Sequence, residues 1–135
     1  WPPDVIHCHG WMSALLPIYL KKAFKDNPLF SESKIVYSLY DDDFTSVFRS
    51  GFDKKMKLQG IAPKDVKYLK TTDYVNLMKT AIDFSDAIIY GSENINPELD
   101  AYVKSTNKPV LGYQSPENYV EAYNDFYDSL LIEQK

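Results

Sequence analysis

Residues 4–20 read DVIHCHGWMSALLPIYL. The first half, Asp4-Val5-Ile6-His7-Cys8-His9, is short, apolar and β-branched, the pattern of a buried strand. Gly10 ends it. The second half, residues 12–24, sets Leu15, Ile18, Tyr19 and Ala23 at helical spacing. Pro17 kinks that helix or sits in its first turns, and Lys21, Lys22 and Lys25 suit its C-terminal end. A buried strand that feeds an amphipathic helix is the opening unit of an α/β sheet.

The rest of the chain repeats the unit. Lys34–Tyr40 (KIVYSLY) is a second strand, stopped by Asp41-Asp42-Asp43. Residues 44–58 carry Phe44, Val47, Phe48, Phe52 and Met56 at helical spacing, with Gly51 as a weak point, and residues 63–69 allow one or two helical turns. Asp73 caps a helix through Phe84. Ala87–Tyr90 is a third strand, and Asn96-Pro97 starts a helix to Ser105. Residues 109–112 form a short fourth strand. Ser115-Pro116-Glu117 starts a last helix, 116–133, with Tyr119, Tyr123, Phe126, Tyr127, Leu130 and Leu131 in one stripe. The order βα-βαα-βα-βα predicts a Rossmann-like parallel sheet with helices on both faces and right-handed crossovers.

The 135 residues fit one domain, and 44% hydrophobic with 25% charged residues is ordinary for a soluble globular chain. The net charge of −4, with no Lys/Arg run longer than two, gives no reason to expect a nucleic-acid or anionic-membrane partner. No apolar run approaches a membrane span. One cysteine excludes an internal disulfide and is compatible with a reducing cytoplasm. Trp1 in place of Met implies either processing or excision from a longer chain, and excision is expected because the first few residues already feed a strand.

In open α/β sheets ligands bind beyond the carboxyl ends of the strands. Three such ends are expected to converge: His9-Gly10-Trp11, Tyr40-Asp41-Asp42-Asp43 and Gly91-Ser92-Glu93. Helix N-termini after at least two of them would favour an anion. His7-Cys8-His9 resembles a metal triplet only on paper. Side chains alternate along a strand, so the histidines share one face and Cys8 takes the other. His7 is then a satisfied core histidine, Cys8 an inert buried thiol and His9 the site candidate. Asp41 is the acid expected to reach a ligand, with Ser92 offering a hydroxyl. No G-x-G-x-x-G or P-loop is present, and neither metal nor cofactor is called for.

The same residues carry a resemblance. Residues 3–20 are similar to the segment P-D-[VI]-[VI]-H-x-H-D-W-H-[TA]-x-L-x-P-x-Y-L of bacterial glycogen synthases and plant starch synthases. Pro3, Asp4, His7, His9, Trp11, Leu15, Pro17, Tyr19 and Leu20 match. Residues 34–41 resemble that family's K-x-V-[FY]-T-[VI]-H-N, and residues 78–92 its L-K-x-G-[IL]-x-x-[AS]-D-x-[VI]-x-x-V-S. The resemblance covers about residues 3–105, whereas residues 106–135 match poorly and read as a closing helix. It implies a retaining glycosyltransferase of the two-domain GT-B type, in which glucose passes from ADP-glucose or UDP-glucose to an α-1,4-glucan.

Residues 1–135 would be a partial N-terminal, acceptor-side domain, inactive alone and completed by the remainder of the enzyme. His9, Gly10, Trp11, Tyr40, Asp41 and Ser92 are the substrate-binding candidates. No catalytic residue is assigned, and donor activation would come from outside these residues. Two departures stand out: Gly10 replaces the motif's Asp, and Tyr40 replaces its strand-end His. Three readings stay open at this stage: a divergent transferase, a catalytically degenerate relative that binds glucan or a partner to regulate glycogen metabolism, and a generic α/β domain.

Overall fold

Val5, Ile6, His7, Cys8 and His9 form the first strand, β1 (Val5–His9), of a computed structural model that describes residues 1–132. Its partner β2 (Lys34–Leu39) runs parallel to it, with Val5 opposite Lys34 and His9 opposite Ser38. β3 (Ala87–Tyr90) and β4 (Val110–Leu111) continue the sheet in chain order, every pair parallel. β2 lies between two partners and is buried from Ile35 to Leu39, which explains its unbroken apolar reading.

Alternation along the strands divides the core. Cys8, Ile35, Tyr37, Leu39 and Ile88 face one side. There they meet α1 (Leu16–Ile18), which continues as a π-helical turn over Tyr19–Ala23, together with α3 (Tyr74–Phe84) and α4 (Pro97–Thr106). Val36, Ala87 and Ile89 face the other side. Leu130 of α5 (Tyr119–Ile132) covers them, with Tyr123, Phe126 and Tyr127 packed alongside. Helices therefore occupy both faces, and the expected α/β architecture is present. Each large side chain so buried contributes on the order of 2 kcal/mol relative to exposure.

The local signals act as their chemistry requires. Pro17 sits in the first turn of α1, where no intrahelical N–H is needed, and causes no break. Asp73 accepts the Asn76 amide at 2.8 Å as the cap of α3, and Asn96 accepts the Glu98 and Leu99 amides ahead of Pro97. The Lys108 ammonium closes the other end of α3. It donates to the carbonyls of Ile82, Asp83 and Ser85 at 2.5, 2.8 and 2.7 Å.

One expected element is largely absent. Residues 44–58 are not a helix except for a single turn, α2 (Phe52–Lys55). Two physical reasons are visible. Thr45 and Val47 are β-branched, Ser46 and Ser50 compete for backbone bonds, and Gly51 takes a left-handed φ of 83°. The aromatic side chains also gain more from a tertiary cluster: Phe44 packs edge-on against Trp11 at 5.1 Å and against Tyr74 at 5.4 Å, and Phe48 stacks on Phe52 at 5.4 Å. Residues Pro63–Lys70 form a 3-10 helix. The last helix begins at Tyr119, after a turn in which the Ser115 carbonyl accepts the Asn118 and Tyr119 amides. Its expected end at residue 133 lies outside the described residues.

Candidate functional site at the strand ends

Gly10 is the pivot of the carboxyl edge. Its φ of 68° and ψ of 174° lie in a region open essentially to glycine alone. The conformation is fixed from every side. The Gly10 amide donates to the Ser38 carbonyl at 3.2 Å, and the Gly10 carbonyl accepts the Ser13 amide and the Tyr37 hydroxyl. A β-carbon placed on Gly10 would stand 3.0 Å from Asp42 Oδ2 and 3.9 Å from Tyr40 Cδ2. An acid at position 10, as the resembled motif carries, is therefore incompatible with this backbone, and the Asp42 carboxylate from the segment after β2 already stands there.

Asp42 is held in place by two donors. The Trp11 amide donates to Oδ2 at 3.1 Å and the Tyr74 hydroxyl to Oδ1 at 2.6 Å. Burial, and next the carboxylate itself, push the Tyr74 hydroxyl pKa up, so it stays protonated and remains the donor. The three acids have separate fates. Asp43 accepts the Asn96 side-chain amide at 2.9 Å. The side chain of Asp41 is exposed, and its backbone amide donates to Ser92 Oγ at 3.0 Å. Asp41, favoured from sequence, thus points into solvent, and Asp42 is the acid that the fold positions. Ser92 binds the two loops together and keeps its hydroxyl proton for a further acceptor.

Tyr40 lies across Gly91. A β-carbon on Gly91 would fall 2.4 Å from Tyr40 Cε1. The Tyr40 hydroxyl meets His9 Nδ1 at 2.8 Å, and His9 stacks on His7 with ring centroids 3.9 Å apart. His7 is satisfied at both nitrogens, by Tyr127 Oη at 2.5 Å and Ser38 Oγ at 2.6 Å. Burial, then the neighbouring His9, lower the His7 pKa to about 4. The environment of His9 lowers its pKa as well, through desolvation, so both rings are neutral at pH 7. Cys8 points into the opposite core, and burial raises its thiol to about 11. The triplet is divided as strand geometry requires.

The other strand ends are less helix-rich than expected. A 3-10 turn over Trp11–Ser13 follows β1, an irregular segment follows β2, and a helix, α4, follows only β3 among these three. The anion-binding expectation based on two helix N-termini is corrected accordingly. Among the described residues, no group of three His, Cys, Asp or Glu side chains is arranged to hold a metal. The residues that converge at this edge are His9, Gly10, Trp11, Tyr40 and Asp42: a neutral imidazole, a carboxylate and aromatic surface around one glycine.

The family model for the starch synthase catalytic domain matches residues 1–105. The chain belongs to this family. Glycogen synthase from Pelodictyon phaeoclathratiforme is 28% identical over 109 residues, covering 76% of this chain and 21% of that protein. Glycogen synthase from Thermotoga maritima is 28% identical over 141 residues, covering 93% of this chain, and that from Clostridium beijerinckii is 30% identical over 138 residues, covering 90%. In both cases 27% of the relative is matched. The chain thus spans between about a fifth and a quarter of the length of these glycogen synthases. Coverage of 93% also carries the similarity past residue 105 into the segment of β4 and α5, which the motifs alone leave unmatched. No helix among the described residues is long and apolar enough to cross a membrane.

Proposed function

We propose that this chain is the acceptor-side wall of a cytoplasmic glycogen synthase-type glycosyltransferase, working within a longer protein that moves glucose from a nucleotide-glucose donor, ADP-glucose, to an α-1,4-glucan. The observation that carries the reading is the strand-end group around Gly10. There a carboxylate with two fixed donors, an imidazole and a tyrosine ring meet at one edge of the sheet. Sugar hydroxyls need charge-assisted acceptors and matched donors, and sugar rings need aromatic surface. With Tyr40 donating to Nδ1, His9 carries its proton on Nε2 and presents that N–H to a ligand oxygen.

Departure of the donor's phosphate calls for cationic groups. The strand-end group described here contains no Arg or Lys, so donor activation falls to the remainder of the enzyme, and the 135-residue piece alone is inactive. The test is incorporation of radiolabelled glucose from ADP-glucose into glycogen by the full-length protein. Incorporation that falls at least tenfold with His9→Ala supports the assignment. A full-length protein that binds glycogen yet incorporates no glucose overturns the enzyme reading.

A second reading is favoured by one observation: Tyr40 and Asp42 fill the spaces above Gly91 and Gly10. A strand-end crevice filled by its own side chains fits a degenerate relative that binds glucan, or a protein partner, and regulates glycogen metabolism. The same incorporation assay, run beside a glycogen pull-down, separates the two.

A further inference from the structure

We infer that the cavity between α2 and the 3-10 helix Pro63–Lys70 binds a small molecule built of an alkyl chain and an anionic head, a carboxylate or a phosphate ester. The cavity encloses about 550 Å³, a size suited to a small-molecule ligand. It shares no residue with the strand-end group around Gly10. Its wall is aliphatic: Met56 and Val66 are buried beneath it, and Leu58, Ile61 and Pro63 complete it. None of the lining residues is aromatic, so the cavity offers no stacking surface to a nucleotide base or a sugar ring. An unbranched hydrocarbon chain is the apolar body that such a wall accommodates.

Charge selects the head. Lys54, Lys57 and Lys70 stand exposed at the rim, against one acid, Asp53. None of these three lysines joins an ion pair among the described residues, although the chain as a whole carries a net charge of −4. Cations around an aliphatic wall complement an anion that carries an apolar chain. Burial of the chain supplies the affinity, and the lysines set the sign of the head. The wall is also fixed before a ligand arrives. The Tyr19 hydroxyl donates to Met56 Sδ at 3.3 Å. Asp65 accepts the Ala62 amide at 2.9 Å and pairs with Lys22 at 3.3 Å. These bonds tie both sides of the cavity to the Tyr19–Ala23 turn, so binding has little left to order.

The experiment is an amide NMR titration of the full 135-residue chain with decanoate below its micelle concentration, beside decyl phosphate, decyltrimethylammonium and acetate. Saturable shifts centred on residues 53–70 are expected with decanoate or decyl phosphate, and the tighter of the two names the head. Equal affinity for acetate or for decyltrimethylammonium overturns the inference, and so do shifts that miss these residues. The double variant Lys57→Gln, Lys70→Gln is expected to weaken binding about fivefold, the range of exposed ion pairs. Leu58→Asn, which strips one exposed part of the wall, is expected to weaken it by a similar factor. Unaltered affinity in either variant overturns the assignment. If the variants fail to fold, wild type in rising salt decides: screening should weaken decanoate binding, and an affinity indifferent to salt overturns the role of the lysines. Capture of the chain by phosphatidylglycerol vesicles, with no response to free decanoate or decyl phosphate, makes this face a lipid-surface contact and overturns the small-molecule site.

Discussion

The ring of Tyr40 rests on the backbone of Gly91, in space that any β-carbon at position 91 would enter. The pair joins the ends of β2 and β3 through contact rather than through a hydrogen bond. Gly91→Ala forces Tyr40 out or shifts the strand end, and overpacking of this kind costs about 1–3 kcal/mol. The cost should vanish in a Tyr40→Ser background. Urea unfolding of the two single variants and the double variant gives the coupling; equal losses in both backgrounds mean the ring is not the obstacle.

Stability should fall as the solution is acidified through the histidine range. His7 binds its proton near pH 4 when folded and near 6.5 when unfolded, so between those values the unfolded chain holds more protons and stability rises with pH. It is complete above about 6.5 and is progressively lost toward 4. His9, also lowered, acts in the same direction. Ser38, Tyr123, Tyr127 and His9 are the groups facing the His7 ring. Discounted for residual solvent contact, the loss is on the order of 1 kcal/mol. Denaturant midpoints at pH 7 and pH 5 for wild type and His7→Gln measure it; an identical pH slope in both assigns the effect elsewhere.

Lys108 terminates α3 from a distance in sequence. Lys108→Met retains the aliphatic stem and removes the donor shared by the Ile82, Asp83 and Ser85 carbonyls. Leaving them short of a partner should cost about 1–3 kcal/mol. Thermal unfolding reads the change, and Lys108→Arg, which keeps a charged donor, is expected to recover part of it.

At the other end of the same helix, Asp73→Ala removes the acceptor for the Asn76 amide. The expected loss is about 1 kcal/mol, and Asp73→Ser should restore most of it. Hydrogen exchange at the first turn of α3 should quicken in the alanine variant alone.

Most of the scaffold is legible from residues alone, for reasons that particular elements make plain. β2 and β3 are buried on both faces and read as continuous apolar runs, and α3 and α4 carry side-chain caps at their first turns. Where local and tertiary preferences disagree, the reading fails. The spacing of Phe44, Phe48 and Phe52 imitates a helix, yet those rings pair with Trp11, Tyr74 and one another across an irregular segment. His7, satisfied at both ring nitrogens, and Cys8 as a buried thiol follow from alternation and stand in the structure, although His7 is half-buried on β1 rather than a core residue. Asp42 escapes sequence reasoning because its role depends on where the chain turns after Leu39. Alternation beyond a strand's last residue carries no information, and choosing among three adjacent acids needs Trp11 and Tyr74 in space. The one available hint is Gly10: a glycine in a motif position that otherwise bears an acid signals that something else fills that volume.

The central pairing also governs how the chain assembles. Val36 and Ala87 stand side by side in the sheet, although the whole irregular segment, the 3-10 helix and α3 lie between them in sequence. Closing so long a connection is entropically costly before any strand contact forms. Refolding should therefore be limited by docking of β3 onto β2, with α3 the element that shortens the search, and variants that loosen α3 should slow folding more than variants in α5.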